Sequence, residues 1–196
     1  MKVVLATKNK GKVKEFNHYL GHLGWTVVSM DEYPEIPEII EDGLTFEANA
    51  VKKAVTVMQA TGLPTLADDS GITVDVLDGR PGVYSARFAG HNAQDEENNQ
   101  TLLRELSDVP DEQRTASFVC CIAYIAPDMD EALTFQGECK GVVLKAPQGG
   151  QGFGYDPLFF VPTEGKTMAE LGVERKNEIS HRAMALLEMK NFFQKH

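Results

Sequence analysis

Two adjacent carboxylates, Asp68 and Asp69, followed by the hydroxyl of Ser70 and by Gly71, are the residues of this chain best suited to chemistry. An apolar run, Leu63 to Ala67, ends at them, and an apolar alternation, Ile72, Val74 and Val76, begins just after. If 63–67 is a buried strand, the aspartates stand at its end. Successive side chains of an extended chain point to opposite faces. The two would therefore not share one job: one can face a cleft while the other ties down a turn. A carboxylate pair beside a glycine suits a hard cation such as Mg²⁺, which takes one or two carboxylates and keeps water or phosphate oxygens as its other ligands. An Asp-Ser-Gly turn between two strands is the competing reading, because these residues favour turns in any setting.

A second group is Thr7-Lys8-Asn9-Lys10-Gly11-Lys12, between an apolar strand, Val3 to Ala6, and a helical pattern through Phe16 and Leu20. Strand, polar loop, helix presents backbone N–H groups and a positive helix end to an anion. The three lysines stand out in an acidic chain and favour phosphate binding over a solvated basic turn. The spacing G-x-x-x-x-G-K-S/T of a Walker loop is missing. The third group is the glycine-rich stretch 148–157. Phe153, between Gly152 and Gly154, is poorly placed for regular packing and could stack on a flat heterocycle, with Asp156 accepting from ring N–H groups. A flexible loop is the alternative. Last comes Ser180-His181-Arg182, which starts or interrupts a C-terminal helical segment. A His-Arg pair there can reach a purine carbonyl or a phosphate, although such pairs are usually surface.

Trp25 to Ser29 is a second strand, and Asp31 to Asp42 is a loop rich in Glu and Pro, from which one carboxylate could complete a metal site. Thr45 is a plausible N-cap for a helix to about Thr61, with Phe46, Ala50, Ala54 and Met58 as its buried stripe. Lys52 and Lys53 lie on adjacent faces of it, so one of them at most points at a single site. Asp95 to Leu106 is helical. Thr115 to Ala126 and about 132–144 form a β-hairpin with a four- or five-residue connection. Leu158 to Val161 is a strand, Thr167-x-x-Glu170 has capping-box spacing, and Glu174 onward is helical. No repeat or linker divides the chain. The pattern predicts one α/β domain over 1–196 with a mixed sheet in two lobes, and a cleft between lobes is a common ligand site.

Acidic residues number 29 against 19 basic ones, a formal charge of -10. That argues against broad nucleic-acid binding, which needs a basic surface, but leaves room for a phosphorylated small molecule in a local basic pocket. The three cysteines, Cys120, Cys121 and Cys139, lack zinc-site spacing and suit a reducing compartment. No apolar run is long enough to span a bilayer, so no membrane partner is expected, and the opening residues do not read as a targeting segment. A cytoplasmic protein is the expectation.

The motifs together resemble the noncanonical purine nucleoside triphosphate pyrophosphatases, the inosine/xanthosine triphosphatase or Ham1-like family. They are Ala6-Thr7-x-Asn9-x-Gly11-Lys12, Glu41-Asp42-Gly43-x-Thr45-Phe46-x-x-Asn49-Ala50, Ala67-Asp68-Asp69-Ser70-Gly71, Pro81-Gly82-Val83-Tyr84-Ser85-Ala86-Arg87, Gly152-Phe153-Gly154-Tyr155-Asp156-Pro157 and Ile179-Ser180-His181-Arg182. Each is weak alone; six in order with compatible spacing are not.

The resemblance implies an elongated, two-lobed mixed sheet flanked by helices with a central active-site cleft. It also implies a homodimer, and Mg²⁺-dependent hydrolysis of ITP, dITP and XTP to the monophosphate and pyrophosphate. By motif, Thr7, Lys8, Asn9, Lys10, Gly11 and Lys12 would hold the phosphates, with Lys53 assisting. Asp69 would be proton acceptor and metal ligand with Asp68 in support, and Ser70 would contact substrate. Phe153, Gly154, Tyr155, Asp156, Lys176, His181 and Arg182 would hold the base. The acidic motif often carries two glutamates, but Ile40 stands before Glu41 here, so Glu41 is favoured as the second metal ligand and Glu38 after it. A cationic His181/Arg182 pair donates, which matches the 6-carbonyl of hypoxanthine or xanthine and leaves the 6-amino group of adenine unmatched. Guanine shares the carbonyl, so its exclusion would rest on the 2-position. A Maf-like pyrophosphatase and a nucleotide sensor without turnover are the alternatives. The Phe-Gly-Tyr-Asp and Ser-His-Arg motifs speak against the first, and the intact carboxylates and lysines against the second.

Overall fold

The computed structural model describes residues 1–195. Among these, seven strands form one sheet: β1 (Lys2–Leu5), β2 (Thr26–Ser29), β3 (Thr65–Val74), β4 (Thr115–Ile125), β5 (Leu133–Val143), β6 (Phe159–Val161) and β7 (Lys166–Thr167). Their hydrogen-bonded order is β2-β1-β3-β4-β5-β6-β7. β1 is parallel to β2 and to β3, whereas β6 is antiparallel to β5 and β7, so the sheet is mixed. The helices are α1 (Lys10–Leu20), α2 (Phe46–Thr61), α3 (Asp95–Glu105), α4 (Val173–Ile179) and α5 (His181–Phe193). The chain divides into two compact units. Unit 1 comprises Met1–Asp69, Cys120–Gly137 and the chain from Arg182 on; unit 2 comprises Ser70–Val119 and Glu138–His181.

In unit 1 the two-residue period of the strands sorts the core into two layers. Val3, Leu5, Leu66, Cys120, Ile122 and Tyr124 pack with Phe16 and Leu20 of α1 and with Ala185, Leu186 and Met189 of α5. Their neighbours Val4, Ala6, Ala67, Cys121, Ala123 and Ile125 pack with Ala50, Ala54 and Val57 of α2. α2 starts where the sequence indicates: Thr45 Oγ1 accepts from Ala48 N at 3.0 Å, and the helix stops at Gly62, whose φ of 66° suits glycine. Its buried stripe is rotated from the expected one, to Asn49, Ala50, Lys53, Ala54 and Val57, because Asn49 and Lys53 find buried polar partners; Phe46 and Met58 are only half-buried.

Unit 2 has one core, in which Ile72 and Val74, Leu102 and Leu106 of α3, Phe118, Val143, Tyr155, Phe159 and Met168 meet. The strand does not end at Ala67, and the competing turn at Asp68 to Gly71 is not there either. β3 runs unbroken from Thr65 to Val74, so the aspartates are mid-strand. Side-chain partners on both faces override the turn preference of these residues. Gly71 also permits a close approach: a Cβ there would lie 2.6 Å from Gly82 O. The 3-10 segment Gly82–Arg87 comes near enough for Ser85 Oγ to accept from Ile72 N at 2.9 Å. Two smaller expectations also change. Thr167 N donates to Glu170 Oε2 at 2.8 Å, as in a capping box, but a turn follows rather than a helix. The β4–β5 connection occupies 126–132, longer than expected.

Candidate active site

The two aspartates of β3 have different surroundings in unit 1. Asp68 is buried; Lys12 Nζ donates to both its oxygens at 3.0 and 2.9 Å, and Arg182 Nε and Nη2 donate to Oδ2 at 3.1 and 3.0 Å. Burial pushes its pKa up, but Lys12, Arg182 and Lys53 outweigh that and hold it far below the usual carboxylate range. Asp69 accepts from Asn49 Nδ2 at 3.0 Å and faces Lys53 Nζ at 3.6 Å. Burial raises its pKa above the usual value; the pull of Lys53 and the Asn49 bond does not cancel it, and the charges of Glu41 and Asp68 add to it. Of the two, Asp69 is the carboxylate with affinity for a proton.

Lys53 sits on the buried face of α2 and donates to Glu41 Oε1 at 3.1 Å. Burial opposes its charge, yet Asp69, Asp68 and Glu41 together hold its pKa above that of ordinary lysine. Lys52 points the other way, to exposed Asp42 at 2.6 Å, so one of the two lysines faces the site, as the spacing predicts. Glu41 and Asp69 thus share one ammonium, a point where positive charge is stabilised from two sides. That donor set fits Mg²⁺, which needs one or two protein carboxylates and completes its shell with phosphate and water oxygens. Among the described residues no cluster of three or more His, Cys, Asp or Glu could hold a metal by itself.

A cavity of about 760 Å³ in unit 1 is lined by Thr7, Lys8, Lys12, Glu41, Lys53 and Asp68, with the 30–39 loop around it. Within the Thr7 to Lys12 loop the groups divide. Asn9 is the cap of α1: its Oδ1 accepts from Gly11 N at 2.8 Å and Lys12 N at 3.3 Å, so those two N–H groups are engaged by the protein itself. Lys8 and Lys10 are exposed.

In unit 2 the 152–156 loop is a built platform. Phe153 is 55% exposed, and Lys176 Nζ lies 4.9 Å from its ring centre. Asp156 is buried; its Oδ2 accepts from Phe153 N at 3.0 Å and is paired with Lys176. Gly152 has φ 89°, and a Cβ there would collide with the Asp156 carboxylate. Gly154 is gripped from α3 at both of its backbone polar groups: its N–H donates to Asp95 Oδ2 at 2.6 Å and its carbonyl accepts from Asn99 Nδ2 at 3.0 Å. Tyr155, expected at the base, turns inward instead. Its ring is in the core and its hydroxyl donates to Ser85 O at 2.8 Å, anchoring the loop. Ser70 is half-buried on β3.

His181 and Arg182, consecutive at the start of α5, have different side-chain partners. His181 belongs to unit 2, buried and stacked on Phe118 at 5.0 Å. Arg182 belongs to unit 1, buried and bound to Asp68 and, through Nη1, to Glu15 Oε2 at 3.2 Å. The guanidinium expected to donate to a purine carbonyl thus binds two carboxylates in this structure.

A family model described as the Ham1 family matches residues 3–192. The chain belongs to the Ham1 family. A protein of Geobacter sulfurreducens named dITP/XTP pyrophosphatase is 55% identical over 190 residues, covering 97% of this chain and 95% of its own. One of the same name from Halalkalibacterium halodurans is 50% identical over 186 residues, 95% of each chain. Among solved structures, a HAM1 protein from Coxiella burnetii superposes with TM-score 0.93 at 40% identity over 100% of both chains. The Ham1 protein of Staphylococcus aureus gives 0.91 at 39% identity, over 100% of this chain and 99% of its own. Family membership and the mixed α/β fold are therefore as the six motifs implied.

Four side chains at these sites carried no role in the sequence reading: Asn49, Glu15, Asp95 and Asn99. For two pairs a signal existed. Asn49 and Lys53, like Asp95 and Asn99, are polar residues four apart on one helix, which places them on one face.

Proposed function

We propose that this protein hydrolyses noncanonical purine nucleoside triphosphates, ITP, dITP and XTP, to the nucleoside monophosphate and pyrophosphate. The observation that carries the reading is Asp69: a largely buried carboxylate of raised proton affinity, oriented by Asn49 and Lys53, beside an aspartate already neutralised by Lys12 and Arg182. Relatives 50 to 55% identical bear the name dITP/XTP pyrophosphatase, which supports the substrate class.

In the proposed reaction a water attacks the α-phosphorus and Asp69 accepts its proton. The bond from that phosphorus to the bridging oxygen breaks, and its electron pair leaves with pyrophosphate. Such a base is worth roughly 10²–10⁴-fold. Lys8, Lys12 and Lys53 offset charge on the triphosphate as it develops. Asp69 and Glu41 would hold Mg²⁺, which when bound supplies further charge neutralisation as a Lewis acid. In unit 2, Phe153 offers a face for a purine ring, and Lys176, held by the buried Asp156 carboxylate, offers a donor beside it.

A homodimer and a cytoplasmic location belong to the same proposal. Exposed Tyr84, with the Arg87 guanidinium 5.1 Å from its ring centre, gives the 82–87 segment an aromatic surface of the kind enriched at interfaces. Sedimentation at micromolar concentration should find twice 21.6 kDa; a monomer would count against the dimer.

The activity is tested with a nucleotide panel, Mg²⁺ and added inorganic pyrophosphatase, read as phosphate. ITP, dITP and XTP should turn over well ahead of ATP and GTP. Turnover confined to pyrimidine nucleotides, or none at all, would reject the reading.

A further inference from the structure

We infer that Asn49 is a positioning residue that locks the Glu41 loop to Asp69, and that it is needed for turnover although it need not touch substrate. The inference rests on the reading of Asp69 given above. Asn49 lies on the inner face of α2 and is fully buried. Its two amide ends are both used, and by different partners: Oδ1 accepts from Gly43 N at 2.8 Å, and Nδ2 donates to Asp69 Oδ2 at 3.0 Å.

The Gly43 bond decides the other. A backbone N–H can only donate, so the amide oxygen must face Gly43 and the NH₂ must face Asp69. A reversed amide would oppose donor to donor at one end and acceptor to carboxylate at the other. The approach is close enough to exclude a side chain at 43: a Cβ there would lie 2.6 Å from Asn49 Oδ1 and 3.0 Å from Ala48 Cβ. Glu41 is two residues before Gly43, so one buried amide fixes the loop bearing one carboxylate to the strand bearing the other. Lys53, one turn along α2, touches the same two carboxylates at 3.1 and 3.6 Å. Asn is a poor helix former, and its interior position on α2 is accounted for by these two bonds.

Two substitutions separate this role from simple packing. Asn49→Asp keeps the shape and an acceptor for Gly43 but has no N–H for Asp69. Gly43→Ala leaves Asn49 in place and pushes on its oxygen. Losing a hydrogen bond to a charged group costs roughly ten- to a hundredfold, and the loss should fall on kcat. The KM for ITP should stay within about threefold, because the lysines that meet the phosphates are untouched. Gly43→Ala should lower kcat in the same manner, and the double variant should fall no further than Asn49→Asp, the mark of one shared interaction. Thermal melts run alongside.

A kcat near wild type in either single variant would overturn the inference. So would a raised KM at unchanged kcat, which would make Asn49 a substrate contact. If Asn49→Asp does not fold, Gly43→Ala on the exterior loop decides by the same criteria. Asp69→Asn in the same assay separates the two levels. If that variant turns over normally, the reading of Asp69 fails; if it is inactive while Asn49→Asp is active, only the role of Asn49 fails.

Discussion

Asp68 and Asp69 are neighbours on β3 yet belong to different electrostatic systems: the first is enclosed by Lys12 and Arg182, the second is held by the neutral amide of Asn49 and one shared ammonium. Opposite faces of a strand make this division possible. Substitutions should therefore separate stability from catalysis. Asp68→Ala leaves Arg182 buried with a partner removed, which costs about 3–5 kcal/mol, and denaturant unfolding should register it. Asp69→Asn should leave the unfolding midpoint nearly unchanged while removing most turnover. A stable Asp68→Ala protein would mean that the ion pair is not holding the fold.

Arg182 tests where selectivity resides. Its guanidinium is on Asp68 and Glu15, so Arg182→Ala should lower the efficiency on ITP, XTP and ATP by the same factor. The ratio of kcat/KM for ITP over ATP is independent of the fraction folded, and it should not move. A ratio that falls about tenfold or more, the scale of a lost bond from a charged donor, would return Arg182 to the base-reading role that its motif implies.

Phe153 is mostly solvent-exposed, so Phe153→Ala should not change the melting temperature. Stacking of a base on an aromatic ring is worth about 1–3 kcal/mol, and the KM for ITP should rise accordingly, by about tenfold. An unchanged KM would leave the exposed ring without a purine partner.

The three thiols should be silent in the folded protein. Cys120, Cys121 and Cys139 are buried, and burial pushes Cys121 up to about 12 and Cys139 up to about 11. Thiolate is the reactive form, and below the thiol pKa its fraction falls about tenfold for each pH unit of the gap. At pH 8 a thiol of pKa 11 is about one part in a thousand thiolate, roughly two hundred times less than an ordinary cysteine of pKa 8.5. Ellman's reagent at pH 8 should find no fast-reacting thiol in native protein and three after denaturation. A thiol that reacts within seconds in the native state would contradict the burial.

The sequence carried the local decisions well and the tertiary ones unevenly. Thr45 and Gly62 bracket α2 because capping chemistry is local, and Ser180 separates α4 from α5 for the same reason. The opposed facing of Asp68 and Asp69 followed from the strand period alone. What was hidden depended on partners distant in sequence. Turn-forming Asp, Ser and Gly stay in one strand because Lys12, Arg182, Asn49 and Ser85 meet them there. Tyr155 reads as a loop aromatic, but a backbone carbonyl at Ser85 draws its hydroxyl inward. Arg182, adjacent to His181 in the chain, faces a carboxylate that is separated from it by 114 positions.

The most direct measurement is hydrolysis of ITP in ¹⁸O-labelled water with Mg²⁺, followed by mass analysis of both products. On the proposed mechanism, in which a water activated by Asp69 attacks the α-phosphorus, the expected result is stoichiometric inosine monophosphate and pyrophosphate, with the heavy oxygen in the monophosphate. Label in the pyrophosphate, release of single orthophosphate, or no turnover of ITP would contradict it.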